Sequence, residues 1–114
     1  IPLTILVNPV IEVIGDEVFQ NYEGCLSVPN LRGMVARAAH IRVRALDRHG
    51  EELVIEAKGI TAGTYQHEVD HLDAMLFVDR VVDSHTFATW EQFDAFHKEK
   101  WLVSAAKIVE RLGS

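Results

Sequence analysis

The chain has 114 residues, 48% apolar and 25% charged, with a formal net charge of -6 and a single cysteine. These values fit one globular domain and exclude a low-complexity or disordered chain, and they argue against a broad basic surface for nucleic acid or anionic lipid. One cysteine excludes an internal disulfide, and every apolar stretch is interrupted by Glu, Asn, Arg or Asp well short of a membrane-spanning length. Leu3–Val7 and Val10–Ile14 are rich in β-branched residues and separated by Asn8-Pro9, which predicts two strands around a turn. His40–Leu46 alternates, with Ile41, Val43 and Ala45 on one side and Arg42 and Arg44 on the other, the pattern of a half-buried strand. Asp47-Arg48-His49-Gly50 supplies turn chemistry before a second strand at Leu53–Ala57, so the pair is predicted to form an antiparallel hairpin. After Lys58-Gly59 the period becomes helical, with Ile60, Thr64, His67 and His71 recurring on one face. Gly63 costs this helix about 1 kcal/mol relative to Ala, which predicts that the missing side chain leaves useful space. A second helix is expected from Thr89, which forms a capping box with Gln92, to about Leu112 before Gly113. Trp90, Phe93, Trp101, Ala105, Ile108 and Leu112 form its apolar stripe, and Lys107 and Arg111 complement its dipole.

Chemistry concentrates in Gln66-His67-Glu68-Val69-Asp70-His71. Four-residue spacing stacks His67 and His71 one turn apart, where both imidazoles can reach a single divalent metal. The best third ligand is Cys25, in Tyr22-Glu23-Gly24-Cys25-Leu26-Ser27-Val28-Pro29. A Cys-His-His set leaves one tetrahedral position open, as a site that does chemistry requires. Beside it, Glu68 can take a water proton and return it to a departing amine, and the backbone N–H of Leu26 can donate to an oxyanion. Ile60, Gly63 and Thr64 precede the histidines on the same face and are expected to line an apolar substrate pocket, with ordinary core packing as the alternative. Two other readings stay open. One is an HExxH zinc metalloprotease with Glu91, twenty residues past His71, as third ligand. The other is a noncatalytic metal-binding protein, although such a protein has no need of a carboxylate next to its ligand. His40, His49, His85 and His97 lack ligand spacing and read as surface or packing residues.

Glu23-Gly24-Cys25-Leu26-Ser27, followed about forty residues later by Gln66-His67-Glu68-Val69-Asp70-His71-Leu72, resembles the second and third signature motifs of the peptide deformylases. The resemblance runs from about Asn8 to Arg80. It implies an α+β fold, with antiparallel strands packed around a central HExxH helix and a C-terminal helix besides. It also implies hydrolytic removal of the formyl group from formylmethionine at the start of nascent polypeptides. One divalent metal ion is implied, Fe(II) in the cell with Zn, Ni or Co able to take its place, held by Cys25, His67 and His71 with Glu68 as general acid/base. Arg32 matches an arginine that contacts the substrate's backbone or carboxylate end, Arg37 one that pairs with the glutamate at Glu23, and Gln66 a motif glutamine that could also be simply exposed. The implied partners are formylated nascent peptides and, transiently, the ribosome, in the cytoplasm or in an organelle if a transit segment precedes this sequence; no membrane is implied.

Two departures qualify the resemblance. The signature usually continues His-Leu-x-Gly, where this chain has His71-Leu72-Asp73-Ala74; a methyl group there strains the backbone if φ is positive. The family's first signature, Gly-x-Gly-φ-Ala-Ala-x-Gln (φ here an apolar residue), supplies a second oxyanion donor, and no Gly-x-Gly occurs in these 114 residues. Residues 1–114 are therefore expected to be one deformylase-like catalytic domain without its N-terminal portion, which would be cleaved, lie upstream of these residues or be carried by a separate chain, with genuine loss in a degenerate relative as the alternative.

Overall fold

The computed structural model describes residues 1–114. Five strands, β1 (Val7–Val13), β2 (Val18–Cys25), β3 (Val28–Ala38), β4 (His40–Leu46) and β5 (Glu52–Lys58), precede three helices, α1 (Gly59–Leu72), α2 (Trp90–Phe96) and α3 (Lys98–Leu112). They form an antiparallel three-stranded sheet in the order β1-β4-β5 and a separate β2-β3 hairpin, an α+β architecture. Single turns of 3-10 helix at Phe77–Arg80 and Ser84–Thr86 join α1 to α2.

The β4-β5 hairpin follows its alternation, pairing from His40 opposite Lys58 to Leu46 opposite Glu52. Its turn is closed by the Asp47 carboxylate, which accepts from the backbone N–H of His49 and Glu51. Ile41 and Val43 are fully buried and join Ala57 of β5 and Ala62 of α1 in one core cluster. On the opposite face Arg44 donates to Glu12 of β1 at 2.7 Å.

Three expectations change. Leu3–Val7 is not a strand of its own; a single strand begins at Val7, with Asn8 at φ 51° and a register shift between Val7 and Val10. Val7 already faces Leu46, the end of β4, so earlier residues overrun their partner and have no ladder to join. The β2-β3 hairpin escapes the periodicity because its inward positions on β3 carry Gly33, Val35 and Arg37, and a buried arginine breaks the apolar alternation. Finally, the long C-terminal helix is two. Thr89 caps α2 by accepting from the N–H of Gln92, and the chain breaks at His97 (φ -123°) before α3. This break lets α2 press Phe93 edge-on against Tyr22 while α3 lays Ile108 against Phe19 and Ala39 and brings the Trp101 indole N–H to Asn21 at 2.8 Å.

Gln66 is not a free surface residue. Its side-chain amide accepts from the N–H of Ala38 and donates to the Ala38 carbonyl, at 3.1 and 2.8 Å. It thereby satisfies both backbone groups at the end of β3 and pins the central helix to the hairpin. At the far end of that helix Gly59 has φ 61° with the Ser114 backbone packed against it, a position closed to any side chain.

Candidate metal centre

Cys25 is the last residue of β2, where the hairpin register slips beside a two-residue turn, and the third turn of α1 passes next to it. The Cys25 sulfur and one ring nitrogen each from His67 and His71 lie within 4.8 Å of one another. Cys25 Sγ and His71 Nε2 are 3.5 Å apart. Zinc-like bond lengths and a tetrahedral angle give a sulfur-to-nitrogen edge of about 3.5 Å, so this donor set fits one small divalent cation.

The supporting contacts suit that use. His67 Nδ1 lies 2.8 Å from Glu23 Oε1, so a neutral ring donating there presents Nε2 toward the cysteine. Glu23 is held in turn by Arg37, whose Nε and Nη2 donate to its two oxygens at 2.9 and 2.8 Å, a bidentate pair with Arg37 3% exposed. Burial alone would raise the Glu23 pKa, but the guanidinium of Arg37 and the His67 ring hold it below the usual carboxylate value. For His67, burial acts downward and is outweighed by the Glu23 carboxylate, leaving the ring above its ordinary value. Desolvation likewise acts against the Cys25 thiolate, yet the Ser27 backbone N–H and the His67, Ser27 and His71 side chains bring its pKa down to about 7. A thiol so placed loses its proton near neutral pH, and the thiolate is the form that a metal binds.

Glu68 stands exposed at the mouth of a cavity of about 230 Å³, lined also by Asn21, Tyr22, Gly24, Ile60 and Gly63 among others. Thr64 lines it too, so the three expected pocket residues share one cavity with His67 and Glu68. Its lining is more polar than expected, with Tyr22 and Ile60 as its apolar side chains. Gly63 also has a different reason to be glycine. A Cβ there would lie 2.9 Å from the ring tip of Phe19, a buried side chain, so the space left by the missing group is already filled. Leu26 sits in the turn beside Cys25 and is 90% exposed. The guanidinium of Arg32 lies 4.7 Å from the centre of the Phe93 ring and 5.8 Å from that of Trp90, next to Gly24 at the cavity edge. Glu91 is exposed on α2 and no member of the ligand group, so the metalloprotease reading has no third ligand.

Reasoning from the sequence missed Asp70, Phe77 and Arg80. Asp70 is buried and bridged by two arginines, and the ring of Phe77 stacks near His67. The one signal for Asp70 was its place three residues after His67, on the same side of the helix.

A hairpin-borne thiolate facing an HExxH helix within an α+β frame defines a class of metal-site proteins, and the comparisons narrow it. The polypeptide deformylase family model matches residues 2–87, and the chain belongs to that family. It is 43% identical over all 114 residues to peptide deformylase 1 of Prochlorococcus marinus, covering 54% of that protein, and 51% identical over 76 residues, 66% of the chain, to the peptide deformylase of Carboxydothermus hydrogenoformans, covering 49% of it. Among solved structures, a Synechococcus elongatus peptide deformylase in complex with actinonin matches 98% of the chain and 52% of its own at 30% identity, with a TM-score of 0.68. A Met-Ala-Ser-bound class I type b peptide deformylase from Acinetobacter baumannii matches 71% of the chain and 51% of its own, with 42% identity and a TM-score of 0.67. The chain spans about half the length of the relatives it matches. No helix is long and apolar enough to cross a membrane.

Proposed function

We propose that this chain is the metal-bearing part of a peptide deformylase, which hydrolyses the formyl amide of formylmethionine on nascent polypeptides and releases formate. The observation that carries the reading is the convergence of the Cys25, His67 and His71 donor atoms to within 4.8 Å of one another, as three corners of a tetrahedral site, with Glu68 at the adjoining cavity. A divalent ion held by those three residues, Fe(II) as expected from the family or Zn, Ni or Co in its place, would polarise the formyl carbonyl and make water acidic enough to lose a proton near neutral pH. Glu68 accepts that proton and delivers it to the amine as the C–N bond breaks. The N–H of Leu26 donates to the oxygen on which negative charge develops, and Glu23 keeps the His67 ring in one tautomer. Ile60, Gly63 and Thr64 line the side of the cavity where the methionine side chain enters. Arg32, stacked on Phe93, aims its guanidinium at the peptide backbone beyond it.

The remaining wall of the cleft and the second oxyanion donor come from a polypeptide portion outside residues 1–114, in the same chain or a separate one. Lacking one such donor typically costs about a hundred- to a thousandfold in turnover. The substrate class places the protein where formylated chains emerge, with transient ribosome contact, in the cytoplasm or a translating organelle.

The test is formate release from formyl-Met-Ala-Ser by the full polypeptide, reconstituted anaerobically with Fe(II) or Co(II). Glu68→Gln should lower turnover by about a hundredfold or more while metal remains bound, whereas Cys25→Ser should lose both. Stoichiometric metal without formate release from the full polypeptide would replace the enzyme reading with a noncatalytic, deformylase-like metal-binding protein.

A further inference from the structure

The segment that follows α1 reaches back to His67 by two routes. Phe77, 1% exposed, sets its ring nearly parallel to the imidazole, with centroids 6.4 Å apart and planes inclined by 16°. Three residues later Arg80 donates from Nε and Nη2 to the two oxygens of Asp70, at 2.6 and 2.9 Å. Asp70 also accepts from Arg37 Nη1 at 2.6 Å, and Arg37 turns its other edge to Glu23, which faces His67 Nδ1. Charge-assisted hydrogen bonds therefore run without a gap from Arg80 through Asp70, Arg37 and Glu23 to the imidazole.

The path of this segment is fixed at both ends. It leaves α1 through a turn in which Met75 N–H bonds to the Asp70 carbonyl and Ala74 N–H to that of His71, and it ends where Val81 bridges to fully buried Val35. Charge balance shows what Arg80 adds. Without it, the two carboxylates of Asp70 and Glu23 would compete for the single guanidinium of Arg37; with it, Asp70 is neutralised and Arg37 can keep both bonds to Glu23.

We propose that residues 74–80 form a positioning brace for His67, in which Phe77 sets the plane of the ring and Arg80 acts through Asp70 and Arg37 to hold Glu23. The proposal rests on the reading of Cys25, His67 and His71 as metal ligands. Arg80 is a positioning residue, not among those that line the cavity beside Glu68, and 40% of its side chain is exposed, so it can be changed without opening the core.

The test is Co(II) titration of the metal-free full polypeptide, followed by the thiolate-to-cobalt absorption band, with no substrate present. Arg80→Met should weaken Co(II) binding by about tenfold, in the range typical for groups that support a ligand, and Arg80→Lys should recover part of the loss. In a Glu23→Gln background, Arg80→Met should have almost no further effect, because the relay is already cut. A merely structural role would lower affinity equally in both backgrounds, and that result, or wild-type affinity in Arg80→Met, would overturn the brace. If the wild type gives no thiolate band and Cys25→Ser leaves Co(II) binding unchanged, the ligand assignment itself falls, and the brace with it.

Discussion

Replacing Ala74 with glycine should stabilise this protein, although glycine ordinarily weakens a folded chain. Ala74 has φ 58°, with the Met75-to-Asp70 and Ala74-to-His71 hydrogen bonds that require a left-handed residue just past the end of a helix. An L-residue with a Cβ is disfavoured there by about 1–2 kcal/mol. Glycine removes that strain but frees the unfolded chain, which offsets about 0.4–1 kcal/mol. The methyl group is exposed, so no packing is lost, and the net gain is about 0.5–1 kcal/mol, a rise in melting temperature of ~2–6 °C for a chain of this size. Calorimetry on the metal-free protein measures it, with Ala106→Gly on the exposed face of α3 as a control of opposite sign, expected to cost about 1 kcal/mol. If Ala74→Gly lowered the melting temperature as Ala106→Gly does, the left-handed strain at this turn would be refuted.

Arg37→Met should destabilise by about 3–5 kcal/mol in urea unfolding, because it leaves Glu23 with no guanidinium partner and Asp70 with Arg80 alone; a loss below about 1 kcal/mol would show the Glu23–Arg37 pair to be well hydrated. Burial would raise the pKa of both carboxylates, but Arg37 and His67 at Glu23, and Arg80 and Arg37 at Asp70, hold them below their ordinary values. The folded pKa values thus lie under the unfolded ones. Their contribution is complete above about pH 4.5 and disappears as pH falls through the folded values, so urea midpoints of the metal-free protein should drop as the pH is lowered below about 4.5, and a flat profile there would contradict the assignment. Gly63→Ala should cost about 1–3 kcal/mol by driving a methyl group into the Phe19 ring, and Phe19→Leu in the same chain should recover part of it. Gln66→Leu should cost about 1–3 kcal/mol and speed amide exchange at Ala38, whose N–H loses its acceptor; unchanged protection would show that the glutamine does not hold the hairpin.

The parts of the fold legible beforehand share a physical origin in local periodicity. Ile41, Val43 and Ala45 turn inward because strand side chains alternate, and Thr89 starts α2 because its hydroxyl can reach an N–H three residues on. The missed β2-β3 hairpin has Arg37 at an inward position, which only its bonds to Glu23 and Asp70 make tolerable. The break at His97 was equally hidden. Residues on both sides of it favour helix, and the turn serves the separate seats of Phe93 and Ile108.

The sequence alone determined that His67 and His71 would share a helical face, with Glu68 next to the first of them, since about 3.6 residues per turn leaves a four-residue spacing no alternative. It also marked Cys25 as the one thiol that could join them. Tertiary structure decided how closely that thiol approaches, which groups lie behind His67, and why residue 63 is glycine. Each of these depends on the seating of the β2-β3 hairpin against α1, and Gln66, Arg37 and Phe19 set that seating through contacts between residues far apart in the chain. No local period encodes such contacts, because their energy exists only once both partners are in place.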